Sequence, residues 1–138
     1  MKRIEGERIY LTHCCAKKNG RLRRSGHAVP PDELYTATPT RRFMSRCRQA
    51  EVRWAIFSDR YGVCFPQVRR RWYEKAPDSV TPQEFARLLR DFDRKLRGFP
   101  EIWFYHNPGR FHPVYMALLL QTKLRRRVRL FTHLSEIG

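Results

Sequence analysis

Arg8-Ile9-Tyr10-Leu11-Thr12-His13-Cys14-Cys15-Ala16-Lys17-Lys18 is the stretch on which the fold turns. Residues 8–12 carry the apolar, aromatic and β-branched side chains of a short strand, and the chain then passes abruptly into a cysteine–lysine cluster. The same change recurs where Val52-Arg53-Trp54-Ala55-Ile56-Phe57, a second and mostly buried strand, gives way to the turn Ser58-Asp59-Arg60-Tyr61-Gly62. Between them lies a polar loop ending near Pro31, then a helix over residues 39–50, with Thr38 as its N-cap and Pro39 at the first helical position. Ser58 to Pro66 reads as a loop.

Thr81-Pro82-Gln83-Glu84 has the pattern of a capping box with proline at the first position, and Phe85, Leu88, Leu89, Phe92 and Leu96 then keep one apolar helical face until Gly98. A third strand is expected over 101–105, a third helix over 115–124 and a fourth strand over 128–131. The order β-α-β-α-β-α-β predicts one α/β domain over residues 1–138, a three-layer fold with a mostly parallel sheet of about four strands flanked by helices.

Charge sets the expected partner. The chain holds 29 Lys+Arg against 13 Asp+Glu, a net charge of +16. The arginines recur along the whole length, so the fold must assemble a basic face, and an anionic polymer is the natural ligand: RNA or DNA. No apolar run reaches the roughly 18–20 residues needed to cross a bilayer. The polar start lacks the apolar region of a secretory signal, so no membrane association and a cytosolic location are expected. Four cysteines in a chain long enough to build a core do not demand disulfides. They and five histidines could supply metal ligands, but without a CxxC pair or two histidines at helical metal-binding spacing no metal site is predicted.

Ligands of α/β sheets bind beyond the carboxyl ends of the strands, and three such ends carry chemistry here. At the first, Cys14 beside Lys17 and Lys18 is a candidate nucleophile, because nearby ammonium groups favour the thiolate. Lys18 would activate the thiol or clamp an anion. Lys17 would bind substrate, and His27 lies on a loop that can fold back over the cluster. The plainer alternative is a packed cysteine with solvated lysines. At the second end, Ser58 can orient a ligand, Tyr61 can stack on a base and Gly62 permits close backbone approach. An ordinary turn would look the same. At the third, His106 is a candidate general acid–base, followed by Arg110. Tyr35 is a candidate to line the pocket. Arg69-Arg70-Arg71-Trp72 and Arg125-Arg126-Arg127 are the clearest phosphate-binding runs, with Trp72 and Tyr73 interleaving aromatic faces with charge.

Several of these segments, in order, resemble one family. Cys14-Cys15-Ala16-Lys17-Lys18 is similar to a C-x3-K signature, Asp32-Glu33-Leu34-Tyr35 with Phe43 to a D-L-Y…F segment, and Ile56-Phe57-Ser58-Asp59-Arg60-Tyr61-Gly62-Val63 to an I-L-S-x-x-Y/H-G-L turn. The chain thus resembles a group of small uncharacterised α/β domains similar to the YaaA peroxide-stress proteins and to the small domain of archaeosine synthase. The resemblance spans about two thirds of the chain in short blocks. It implies a three-layer α/β fold and a link to nucleic acid or modified nucleobases, with Cys14 and Lys18 on the signature positions. His13 stands where the archaeosine synthase signature has proline, and Asn19-Gly20 replaces Pro-Tyr, so the fold and pocket carry over better than a reaction does.

The function expected from these features is recognition of, or chemistry on, a base or nucleotide in RNA or DNA, through a Cys/Lys pocket at the strand ends. A non-enzymatic basic DNA- or RNA-binding accessory protein is the alternative, and a small-nucleotide enzyme with an incidental basic surface is a third. The co-substrate or cofactor is open, and a protein partner or homo-oligomer is compatible with each.

Overall fold

Trp54-Ala55-Ile56-Phe57-Ser58 is buried along its whole length, as a strand covered on both faces must be. The computed structural model, which describes residues 7–107 and 111–138, places it near the middle of a five-stranded sheet. In chain order the elements are β1 (Arg8–His13), α1 (Pro31–Leu34), α2 (Thr38–Ala50), β2 (Arg53–Ser58), β3 (Gly62–Cys64), α3 (Pro82–Leu96), β4 (Glu101–Tyr105), α4 (Pro113–Gln121) and β5 (Val128–Phe131). The sheet order is β3-β2-β1-β4-β5. β1 pairs in parallel with β2 and β4, β4 in parallel with β5, and only β3 runs antiparallel, against β2.

Side-chain alternation along β1 divides the core in two. Ile9 and Leu11 join Leu88, Phe92, Leu96, Leu118 and Leu119 of α3 and α4 on one face. Tyr10 joins Phe43, Met44 and Cys47 of α2 on the other. The architecture is therefore the expected three-layer α/β domain with a mostly parallel sheet.

Three local readings are corrected. Gly62-Val63-Cys64 is a strand rather than part of a loop. It is too short to show a period, and it forms because Asp91 of α3 accepts the Val63 N–H at 2.7 Å, satisfying an edge donor from outside the sheet. The helix expected over 115–124 runs from Pro113 to Gln121, because Thr122 turns to an extended ψ of 144° and its hydroxyl bonds Asp93 and the Leu124 N–H. Most consequential, Thr38 is the first residue inside α2 and not its N-cap. The cap position belongs to Ala37, which has no side-chain oxygen to offer. The capping box of α3 is present as read: Thr81 Oγ1 accepts from the Glu84 N–H and Glu84 accepts from the Thr81 N–H. Lys75 adds a contact to Glu84 at 2.9 Å, and these hydrogen bonds hold the carboxyl down to about 2.

Connections leave the carboxyl ends of β1 and β4 in opposite directions. From β1 the chain passes through α2 to β2. From β4 it passes through α4, on the other face, to β5. The gap between the ends of β1 and β4 is thus the topological switch point, where open α/β sheets hold their ligands. Among the described residues no helix is long and apolar enough to cross a membrane.

Candidate functional site at the carboxyl rim of the sheet

The β1/β2 half of the rim is a closed polar knot. Cys14 directly follows β1, and its N–H donates to the Phe57 carbonyl at 2.8 Å, so the thiol turns inward. Cys14 Sγ lies 3.5 Å from Asp59 Oδ1, accepts from the Asp59 N–H at 3.5 Å and sits 3.6 Å from the Tyr115 hydroxyl. Ser58 Oγ accepts from the N–H groups of Arg60 and Tyr61 and donates to the Tyr73 hydroxyl at 3.0 Å, which in turn meets the Tyr35 hydroxyl at 2.8 Å. All of Cys14, Tyr35, Ser58, Asp59, Tyr73 and Tyr115 are buried.

Burial decides the electrostatics here. It pushes the Cys14 thiol up to about 12, and the neighbouring Asp59 charge pushes the same way. Burial also raises the Asp59 carboxyl, against the Cys14 hydrogen bond and the charges of Lys18 and Lys75, which pull it down. The expected lysine-activated thiolate is therefore corrected to a protonated thiol that donates to a carboxylate.

The remaining expectations fare unevenly. Lys18 Nζ stands 4.2 Å over the Tyr73 ring and 3.4 Å from the Ala16 carbonyl, a cation–π cover on the knot. Lys17 is exposed, its carbonyl accepting from Cys15 Sγ and the Thr36 N–H. His27 is exposed, with its N–H held by Ser25 Oγ, and does not close over the cluster. Tyr35 and Ser58 do not face a ligand, because their hydroxyls are spent on Tyr73. Gly62 leaves no room for close approach of a ligand: its φ is +80°, and a Cβ there would lie 2.1 Å from Asp91 Oδ2. The glycine seats α3. His106 donates its N–H to the Phe131 carbonyl and packs its ring on Phe111 at 4.8 Å, and its buried Nδ1 has no hydrogen-bond partner among the described residues. Arg110 lies outside the described residues.

Above the knot, charge and aromatic faces do alternate. Arg23 lies 5.1 Å from the centre of the Trp72 ring, and Arg60 and Arg70 lie 5.6 and 5.0 Å from that of Tyr61. Tyr61 and Trp72 are half-buried, and Arg23, Arg60, Arg69 and Arg71 are exposed. Tyr73, expected beside Trp72 as a stacking face, is instead the hub of the knot. The second run, Arg125-Arg126-Arg127, precedes β5 and so lies at the amino end of the parallel strands, opposite this rim. Arg127 Nη1 donates to the Arg97 and Phe99 carbonyls at 2.7 and 3.1 Å and closes the C-terminus of α3.

The β1/β4 half, at the switch point, is open. A cavity of about 170 Å³ is bounded by Thr12, His13 and Cys15 from the end of β1, Tyr105 and Asn107 from the end of β4, and Ala37, Pro39 and Thr40 from the start of α2. His13 stacks on Tyr115 at 4.7 Å, its Nδ1 lies 2.7 Å from the Cys14 carbonyl, and burial first, then His106 and His112, push its imidazole down towards the neutral form. Thr12 Oγ1 donates to the Tyr105 carbonyl at 3.0 Å and ties the two strands together at the crevice floor.

Sequence reading missed Asp59 as the partner of Cys14, and it missed this crevice. The available signal was Thr38-Pro39-Thr40 directly after Ala37, a helix start whose first residue cannot cap it. Among the described residues no cluster of three His, Cys, Asp or Glu side chains has metal-binding geometry. No family model, curated protein or solved structure matches the chain.

Proposed function

We propose that the protein is a cytosolic, nucleic-acid-associated α/β protein that recognises a nucleobase, presented single-stranded or flipped from a duplex, at the carboxyl rim of its sheet. The observation that carries the reading is the Arg23–Trp72 and Arg60–Tyr61–Arg70 alternation on that rim. A guanidinium laid on an aromatic ring offers a flat, cationic platform, and such platforms hold bases by stacking while the charge holds the backbone. The net charge of +16 supplies the long-range attraction. Recognition is favoured over covalent catalysis because the Cys14 thiol is buried and held protonated by its surroundings. Residual chemistry would fall to groups that face the open crevice, His13 and Cys15.

One observation favours a second reading, a generic electrostatic binder: the exposed Arg125 and Arg126 lie at the far end of the strands, where no aromatic partner accompanies them among the described residues. Fluorescence anisotropy with labelled transfer RNA, single-stranded DNA and duplex DNA at two salt concentrations separates the two. Trp72→Ala should weaken binding of single strands by about five- to a hundredfold, from the roughly 1–3 kcal/mol that a stacked base contributes. Arg125→Ala/Arg126→Ala should lower binding of all three polymers alike and flatten the salt dependence. Equal, salt-erased binding of the three polymers with a silent Trp72→Ala would sink the base-recognition reading. A protein partner or a homo-oligomer remains compatible with it and would appear in the same titrations as a shift in mass by light scattering.

A further inference from the structure

We propose that the outer edge of β5 is a docking site for an extended acidic–apolar segment of another protein, which joins the five-stranded sheet as a further strand. The inference goes beyond base recognition at the rim and does not rest on it. A strand at a sheet edge presents unpaired N–H and C=O groups, and folded proteins cover or blunt such edges. The two edges of this sheet differ. On β3, Asp91 of α3 accepts the Val63 N–H at 2.7 Å and Lys95 donates to the Val63 carbonyl at 2.8 Å, so that edge is closed from within. On β5 the backbone stays open. The Phe131 carbonyl accepts from the His106 N–H, so Phe131 and, by the alternation of a strand, Arg129 turn their backbone groups towards β4. Leu130 therefore turns its N–H and C=O outward, and neither has a hydrogen-bond partner among the described residues.

Side chains along the edge divide by face. Val128 packs against the core under α3 and α4, and Leu130, two residues on, points to the same face. Leu130 is 37% exposed, and Leu120 on α4, the helix that covers this face, is 57% exposed. They are the two exposed large apolar side chains among the described residues. The outer side of α4 continues the apolar surface: Pro113, Met116, Ala117 and Leu120 share one face at helical spacing, and none of them is buried. Arg129 points to the opposite face of the sheet, where its guanidinium lies 4.5 Å from the centre of the Trp103 ring.

Charge selects the occupant. Lys123, Arg125, Arg126, Arg127 and Arg129 stand on or just before the strand, all exposed, and no carboxylate occurs from residue 121 to residue 135. Glu101 on the neighbouring strand is taken up by Arg8 and Trp103, and Asp93 by Thr122 and the Lys123 N–H. A second copy docked edge to edge would bring two such cationic runs together, which like charges oppose. A strand with acids on one face and apolar side chains on the other meets Arg129 with the first and Leu130 with the second. Its backbone meanwhile satisfies the outward groups of Leu130, the way extended peptides are added to open sheet edges.

The test is fluorescence anisotropy of the full chain with a labelled peptide of four Val-Glu repeats, and with a block peptide of the same composition, four valines followed by four glutamates. The alternating peptide should bind about tenfold more tightly than the block peptide, as several cross-strand pairs together allow. A strand added to an edge uses only its alternate N–H groups. N-methylation of all the valines, or of all the glutamates, should therefore abolish binding in one case and spare it in the other. A spared valine-methylated peptide means a parallel strand, and a spared glutamate-methylated one an antiparallel strand. These peptides are tested on wild type and need no variant to fold. Leu130→Lys and Arg129→Glu should each weaken the alternating peptide about five- to tenfold, while the same charge change at the exposed Arg90 of α3 leaves it within about twofold. Equal binding of alternating and block peptides, loss or tolerance of both methylations, or an Arg90→Glu effect as large as that of Arg129→Glu overturns the proposal. So does a dimer of the free chain, seen by light scattering, that Leu130→Lys dissolves, since a second copy then occupies the edge.

Discussion

The two halves of the carboxyl rim share β1 and differ in what their polar groups do. On the β2 side Cys14, Ser58, Asp59, Tyr35, Tyr73 and Tyr115 answer one another, and the knot is closed. On the β4 side the α2 terminus lacks a side-chain cap and borders an open cavity with Thr12, His13 and Cys15. The difference teaches how to read such a rim. Polar groups that satisfy one another hold the fold together. The crevice at a topological switch point is where open α/β sheets hold their ligands. Side-chain identity alone does not separate the cases, since the more reactive-looking half, with Cys14 and Lys18, is the closed one.

Breaking the closed half should cost stability first. Gly62→Ala should have the largest effect, because a Cβ at φ +80° would drive into the Asp91 carboxylate that holds the Val63 N–H and Lys95. Overpacking and left-handed strain together amount to roughly 3–5 kcal/mol, read as a lower urea midpoint. Tyr73→Phe comes next. It removes the hydroxyl to which Ser58 donates and which Tyr35 meets, leaving two buried groups short of a partner. A loss of about 2–3 kcal/mol is expected, read as a lower urea midpoint. If Tyr73→Phe left the urea midpoint unchanged, the closed knot would not hold this half of the rim together.

Asp59 sharpens the same contrast through pH. Its folded pKa is raised, so between the ordinary carboxylate range and that raised value the folded state binds more protons than the unfolded one. Stability contributed by this group is therefore present at low pH and declines as pH rises through that window, the reverse of the behaviour of a salt-bridged carboxylate. Urea midpoints of wild type and Asp59→Asn, followed from pH 4 to 7, should diverge, with the variant losing the decline. Parallel curves would remove Asp59 from the buried knot.

The strands of the rim were legible in the sequence, but its division was not. Residues 101–105 and 128–131 are strands with the bounds their apolar runs predict, and the Thr81–Glu84 capping box is present atom for atom. These features depend on neighbours a few residues apart. Cys14 depends on Asp59 and Tyr115, 45 and 101 residues away, and no local pattern says that a carboxylate rather than a lysine will face the thiol. Gly62 read as a ligand contact for the same reason: its close neighbour is Asp91, on the following helix. Thr38 failed by a single residue. Threonine before Pro39 looks like a cap, yet α2 begins at Thr38, because Thr36 is drawn off by the Lys17 carbonyl and Arg41 donates to the Ala37 carbonyl.

The smallest expected effect is also the one with the opposite sign. Ala37 already has the backbone conformation of a cap and lacks only the oxygen, so Ala37→Asp requires no rearrangement of α2. A side-chain cap contributes about 1 kcal/mol, and a negative charge at a helix N-terminus adds a few tenths more. The melting temperature should therefore rise by a few degrees. No gain in melting temperature would mean that the N-terminal N–H groups of α2 gain nothing from a side-chain cap at position 37.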